Sequence, residues 1–84
     1  MDKIDEILTI AQEECGELVQ VVSKVRRFGL EENRDKLTQE AGDVLAMIQL
    51  MIDFDIVNQQ AIEVAKLNKV EKLKVWSNIF KKDL

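Results

Sequence analysis

Proline and histidine are both absent from this 84-residue chain, which also holds only three glycines and a single cysteine, Cys15. Sheet proteins of this size need more turn residues than that, so the scarcity points to helices. One cysteine excludes an intrachain disulfide and suits a reducing compartment. The lack of histidine removes the di-iron helical-bundle arrangement, which needs Glu-x-x-His. No Asp-x-Asp-x-Asp-Gly loop occurs, so an EF-hand is excluded as well. No apolar run approaches the ~18 residues of a membrane span. The start, Met1-Asp2-Lys3-Ile4-Asp5-Glu6, is too acidic for a signal or transit peptide. No membrane partner and a cytoplasmic location are therefore expected.

What the chain does have is apolar content of 46% and charged content of 33%, the balance of a packed, soluble protein. Its length is below the ~100–150 residues of a typical domain, so residues 1–84 are expected to form one domain. A chain so short buries only a modest core and needs a metal, a partner chain or both. The formal charge of −4 hides an asymmetry. Residues 1–43 carry 11 acidic and 6 basic side chains, whereas residues 66–84 carry six lysines against Glu71 and Asp83. A nucleic-acid binder would show a dominant basic face, which is missing, so no nucleic-acid polymer is expected as a partner. The asymmetry suits a site that holds both a cation and a phosphate ester.

Periodicity predicts three helices. Ile4, Leu8, Ala11, Cys15, Leu18, Val22 and Val25 draw an apolar stripe down a first helix over roughly residues 3–28. Arg26 and Arg27 fall in its last turn and Gly29 stands at its stop. A short loop at Leu30-Glu31-Glu32 and an N-cap at Asn33 are expected to open a second helix running to about Phe54, with a stripe of Leu37, Ala41, Val44, Ile48 and Met51. Asn58 is again cap-like, and a third helix from Gln59 is expected to continue, with or without a break, through Trp76 and Phe80. The fold class is thus all-α. Because the first two helices each carry an apolar surface about half a turn wide, one chain cannot cover both. A helical bundle whose four-helix core is completed by dimerisation is expected.

A second stripe on each helix carries the chemistry. On the first helix it reads Ile7, Ile10, Glu14, Glu17, Val21; on the second, Lys36, Glu40, Asp43, Met47, Leu50, Phe54. Glu14-Cys15-Gly16-Glu17-Leu18-Val19 matches Glu40-Ala41-Gly42-Asp43-Val44-Leu45 in residue type, position for position. A mid-helix glycine costs about 1 kcal/mol relative to alanine. Its recurrence suggests that the helices cross closely near Gly16 and Gly42, with four carboxylates converging beside the crossing. Two like charges about 4 Å apart repel by roughly 4 kcal/mol at an effective dielectric near 20. Such a cluster must protonate, pair with lysine or arginine, or bind metal. A Glu-x-x-Glu on a charged helix is commonly only a solvated face; two copies set in apolar half-surfaces favour a site. All-oxygen donors select a hard cation, Mg²⁺ or Mn²⁺, over zinc or copper. Glu13 lies further round and is expected to face solvent.

On these residues the chain resembles the MazG-like all-α nucleotide pyrophosphohydrolases, whose signature is Glu-x-x-Glu followed after a couple of dozen residues by Glu-x-x-Asp. Here that is Glu14-x-x-Glu17, 22 residues, then Glu40-x-x-Asp43. Ser23-Lys24 and Arg27-Phe28-Gly29, Leu37 to Leu50 and the tail from Ala65-Lys66 to Ser77 are similar to small phage and bacterial members. The resemblance implies hydrolysis of a nucleoside triphosphate at the α–β bond to a monophosphate and pyrophosphate. It implies Mg²⁺, with Mn²⁺ as a substitute, held by Glu14, Glu17, Glu40 and Asp43, one of which, most readily Glu17, doubles as general base. Lys24, Arg27, Lys66, Lys69 and Lys72 are candidates to hold phosphate, although exposed lysines on a helix usually only solubilise it, and Asn68 is a further candidate contact. Trp76 would stack on a base or fill a core or subunit interface, the second being the commoner role. The family is built from tight dimers, often paired into tetramers, so a homodimer is expected here, with a tetramer as the next step. The competing readings are a non-enzymatic dimeric helical adaptor or antitoxin-like module, and a metal-dependent phosphatase releasing single phosphates.

Overall fold

The computed structural model describes residues 2–82 and contains three helices and, among those residues, no strand. Helix α1 spans Lys3–Phe28. The Asp2 side chain caps its start by accepting the backbone N–H of Asp5 at 2.8 Å. Asp5 and Glu6 in the first turn and Arg26 and Arg27 in the last both complement the helix dipole. Gly29, at φ 105°, ends α1, and its N–H donates to the Val25 carbonyl at 2.9 Å. A side chain is rarely accommodated at that φ, so glycine is required here.

Helix α2 spans Leu30–Asp53, beginning directly after Gly29. The expected loop at Leu30-Glu31-Glu32 therefore does not exist, and Asn33 is not an N-cap. The positive-φ glycine reverses the chain in one residue, so no longer connection is needed. Asn33 instead lies in the first turn, where its Nδ2 donates to the Gly29 carbonyl at 3.0 Å. At the far end, Asp55 takes φ 57°, and the N–H groups of Ile56 and Val57 close back on the Met51 carbonyl. Asn58 then caps helix α3, Gln59–Trp76, as its position suggested, accepting the Ala61 N–H at 2.9 Å. This helix stops at Trp76 rather than Phe80, because Ser77 turns extended and its Oγ accepts the Ile79 N–H.

Helices α1 and α2 form an antiparallel hairpin, with the Lys3 ammonium at the start of α1 lying 5.6 Å from the Phe54 ring just past the end of α2. On α1 it is the second stripe that faces inward, whereas on α2 the buried Glu40 and Met47 belong to the second stripe but Leu37, Val44, Ile48 and Met51 of the first are half-buried as well. Ile7, Val21 and Met47 are buried, with Glu40 among them, while Ile4, Leu8 and Val22 of the first stripe remain 48%, 41% and 42% exposed. Helix α3 buries no residue at all, and Trp76, 85% exposed, is not part of this chain's core. The radius of gyration, 15.7 Å, exceeds the ~12 Å of a compact chain this long. No helix among the described residues is long and apolar enough to cross a membrane.

Candidate metal centre

The carboxylate site grows out of the heptad spacing of the hairpin. Glu14 stands seven residues after buried Ile7 and seven before buried Val21, and Glu40 stands seven before buried Met47. Acidic side chains thus occupy the seam positions where an ordinary helix pair would place apolar ones. The hairpin register brings one carboxylate oxygen each of Glu14, Glu40 and Asp43 within 4.8 Å of one another.

Their environments differ. Glu40 is only 2% exposed, and its Oε2 is buried without a hydrogen-bond partner. A buried acceptor left unsatisfied costs about 1–3 kcal/mol, more when charged. Glu14 and Asp43 are half-buried. The Glu14 carboxyl is pushed above its ordinary value of 4.5. Partial burial contributes most, followed by the charges of Asp43, Glu40 and Glu17, and then by a hydrogen bond with Glu40. Glu17 is exposed and falls outside the three-oxygen group, although its charge is felt at Glu14. Glu13 is exposed, as its position round the helix suggested.

Among the described residues, the ion pairs are Arg34–Glu31, Lys66–Glu63 and Lys74–Glu71, each within a single helix. None neutralises the cluster. Of the three ways to relieve converging carboxylates, pairing with lysine or arginine is therefore not the one used within this chain. Three oxygen donors, one of them buried and unpartnered, fit a hard divalent cation.

The cationic candidates divide into two groups. Lys24 and Arg27 line a shallow concavity of about 300 Å³ on the C-terminal half of α1, together with Val19, Gln20 and Ser23. The Arg27 guanidinium rests 4.9 Å from the Phe28 ring centroid. Val19 and Gln20 lie outside the residues singled out by sequence; their i, i+4 spacing to Ser23 and Lys24 was the available signal. Lys66 borders a separate groove of about 460 Å³ between α2 and α3, formed by Leu45, Ile48, Gln49, Ile52, Gln59, Ile62 and Glu63. Its ammonium is 3.4 Å from Glu63. Asn68, Lys69 and Lys72 are exposed on α3.

The two matched glycines play no part in helix contact. A Cβ at Gly16 or at Gly42 would meet nothing within 4 Å. The inferred close backbone crossing at those positions is therefore corrected: both face open space, and α1 and α2 pack through their neighbouring seam residues. The family model described as "MazG nucleotide pyrophosphohydrolase domain" matches residues 3–74. No curated protein and no solved structure matches the chain.

Proposed function

Because the chain belongs to the MazG nucleotide pyrophosphohydrolase family, we propose that it hydrolyses nucleoside or deoxynucleoside triphosphates between the α and β phosphates, yielding a monophosphate and pyrophosphate, with Mg²⁺ as the required cation. The observation that carries this reading is the buried, unpartnered Oε2 of Glu40 within 4.8 Å of the Glu14 and Asp43 carboxylates. Glu14, Glu40 and Asp43 would hold the ion, and Glu17 would join from the exposed end. When bound, the cation supplies charge neutralisation for the phosphates and lowers the pKa of a coordinated water.

The protein's own groups do the rest. Glu17 is exposed beside Glu14, so it is open to solvent and suited to accept the proton of an attacking water. As the water oxygen bonds to one phosphorus of the α–β bridge, the P–O bond from that phosphorus to the bridging oxygen breaks. The other half of the molecule, pyrophosphate for attack at the α phosphorus or the nucleoside monophosphate for attack at the β phosphorus, leaves with the bond electrons. Lys24 and Arg27 bind phosphate oxygens from their concavity on α1 and offset the negative charge as the bridge breaks. Lys66, Lys69, Lys72 and Asn68 contribute from α3 when that helix packs in the assembled protein. The active form is a homodimer, with pairing of dimers as a further step, and it works in the cytoplasm.

The experiment incubates the full chain with a panel of NTPs and dNTPs plus Mg²⁺ and resolves every phosphate product. Monophosphate and pyrophosphate in equal amounts are expected. Diphosphate with single phosphate would point to a phosphatase, and no turnover of any nucleotide would favour the adaptor reading.

A further inference from the structure

Lys36 opens the second stripe of α2, four residues before Glu40 and seven before Asp43, and Lys24 stands seven residues after Glu17 on α1. Glu17 and Asp43 each lie three residues past a seam carboxylate, Glu14 and Glu40, a rotation about 60° short of a full turn. In an antiparallel pair, equal rotations in the same sense bring side chains to the same face, so Glu17 and Asp43 flank one face of the hairpin. Seven residues fall only about 20° short of two full turns, so Lys24 keeps to the stripe of Glu17 and Lys36 to that of Asp43.

Both lysines lie on the Gly29 side of the carboxylates. Lys24 stands five residues before Gly29 and Lys36 seven after it, about 7.5 and 10.5 Å along their helices at 1.5 Å per residue. They are therefore level to about 3 Å, on arms whose axes pack about 8–10 Å apart. A four-carbon stem on each lets the two ammonium groups meet on one anion between them. Both lysines are exposed and, among the described residues, neither takes part in an ion pair. Arg34, two residues before Lys36, is by contrast held by Glu31 at 2.6 Å.

The opposite end of that face offers little to a phosphate. Exposed Glu6 and Glu13 fall there on α1 and Leu50 and Phe54 on α2, and the nearby Lys3 ammonium sits over the Phe54 ring at 5.6 Å. Charge along the hairpin thus runs from cationic near Gly29, through the carboxylates, to acidic and apolar at the open end. We propose that Lys36, together with Lys24 across the hairpin, grips the phosphates distal to the nucleoside, so that the pyrophosphate half of the substrate points toward Gly29. The two ammonium groups hold that half as the bridging P–O bond breaks.

This inference rests on the proposed hydrolysis, and its test uses a probe that needs no turnover. Calorimetry on the full chain with Mg²⁺ measures binding of inorganic pyrophosphate, and steady-state kinetics with a deoxynucleoside triphosphate follow on the same preparations. Lys36→Gln should weaken pyrophosphate binding about 10- to 100-fold and raise KM while kcat stays within about threefold. Lys36→Arg keeps the charge and should retain most of the affinity. Arg34→Gln removes the same charge from a different face of α2 and should change neither quantity. All three positions are exposed, so the fold is kept, and circular dichroism melts check it. A wild type that takes up no pyrophosphate overturns the grip, as does equal loss in Lys36→Gln and Arg34→Gln, which would mark a general charge effect. A wild type that makes monophosphate and pyrophosphate while Lys36→Gln binds pyrophosphate normally overturns the grip and leaves the proposed function standing. Pyrophosphate binding that depends on Lys36, with no turnover of any nucleotide, keeps the anion site and overturns the proposed function.

Discussion

Replacing Glu40 by glutamine should stabilise the metal-free protein and abolish its response to Mg²⁺. The side chain is 2% exposed, with an oxygen that has no partner, and two other carboxylates offer oxygens within 4.8 Å. Two unit charges at that separation repel by about 3.5 kcal/mol at an effective dielectric near 20, and partial exposure of the neighbours reduces the net effect. Glutamine keeps the shape, removes the charge and leaves an amide to satisfy. A net gain of about 2 kcal/mol is expected in chelator, roughly 10 °C in Tm for a chain of this size. With Mg²⁺ at 100 times its Kd, the wild type should gain about 2.7 kcal/mol and the variant nothing, so the order of the two melting curves reverses. Circular dichroism melts at fixed protein concentration, with EDTA and with Mg²⁺, measure this. If Glu40→Gln lowers Tm by the same amount in both buffers, Glu40 is an ordinary structural residue and the reasoning fails.

Three further outcomes follow from the same geometry. Glu14 has a folded-state pKa above its ordinary 4.5, so the native state binds more protons than the unfolded one in the interval between the two values. Stability of the metal-free protein should be greatest below that interval and fall as pH rises through it, and saturating Mg²⁺ should flatten the fall; urea melts from pH 4 to 7 show either result. Glu17→Gln should keep most of the Mg²⁺-induced Tm shift while kcat drops about 10²–10⁴-fold, whereas Glu14→Gln should lose both, as melts and steady-state kinetics on one preparation would reveal. Gly29→Ala should cost about 1–2 kcal/mol because φ 105° is hostile to a side chain, whereas Gly42→Ala, whose Cβ meets nothing, should raise Tm; a destabilised Gly42→Ala would show that the space is filled in the assembled protein.

Helix ends with a chemical marker were legible from sequence. Arg26, Arg27 and Gly29 mark the end of α1, and Asn58 opens α3, because each of those residues satisfies or complements an orphan terminus locally, whereas the Asp2 cap at the start of α1 emerges only from the structure. The start of α2 was misread for the same reason. Asn33 carries the chemistry of a cap, but whether a cap is needed depends on Gly29 making the whole turn, a backbone event that residue type does not report. Periodicity likewise reveals two stripes on each helix without saying which one meets the neighbouring helix and which stays open. The carboxylate pairs were visible through their spacing, yet sequence treats Glu14, Glu17, Glu40 and Asp43 as equals. Their division into a buried Glu40, two half-buried partners and an exposed Glu17 follows from the hairpin register. The glycine pair misled because a costly residue in a helix invites a packing explanation, and within this chain there is none.

The most direct test of the metal assignment is an anomalous diffraction map of crystals grown with Mn²⁺ and a non-hydrolysable nucleotide analogue. A peak coordinated by the Glu14, Glu40 and Asp43 carboxylates, and absent from Glu40→Gln crystals, is the result predicted here. Those three carboxylates instead found paired with lysine or arginine from another copy, with no ion between them, would contradict it.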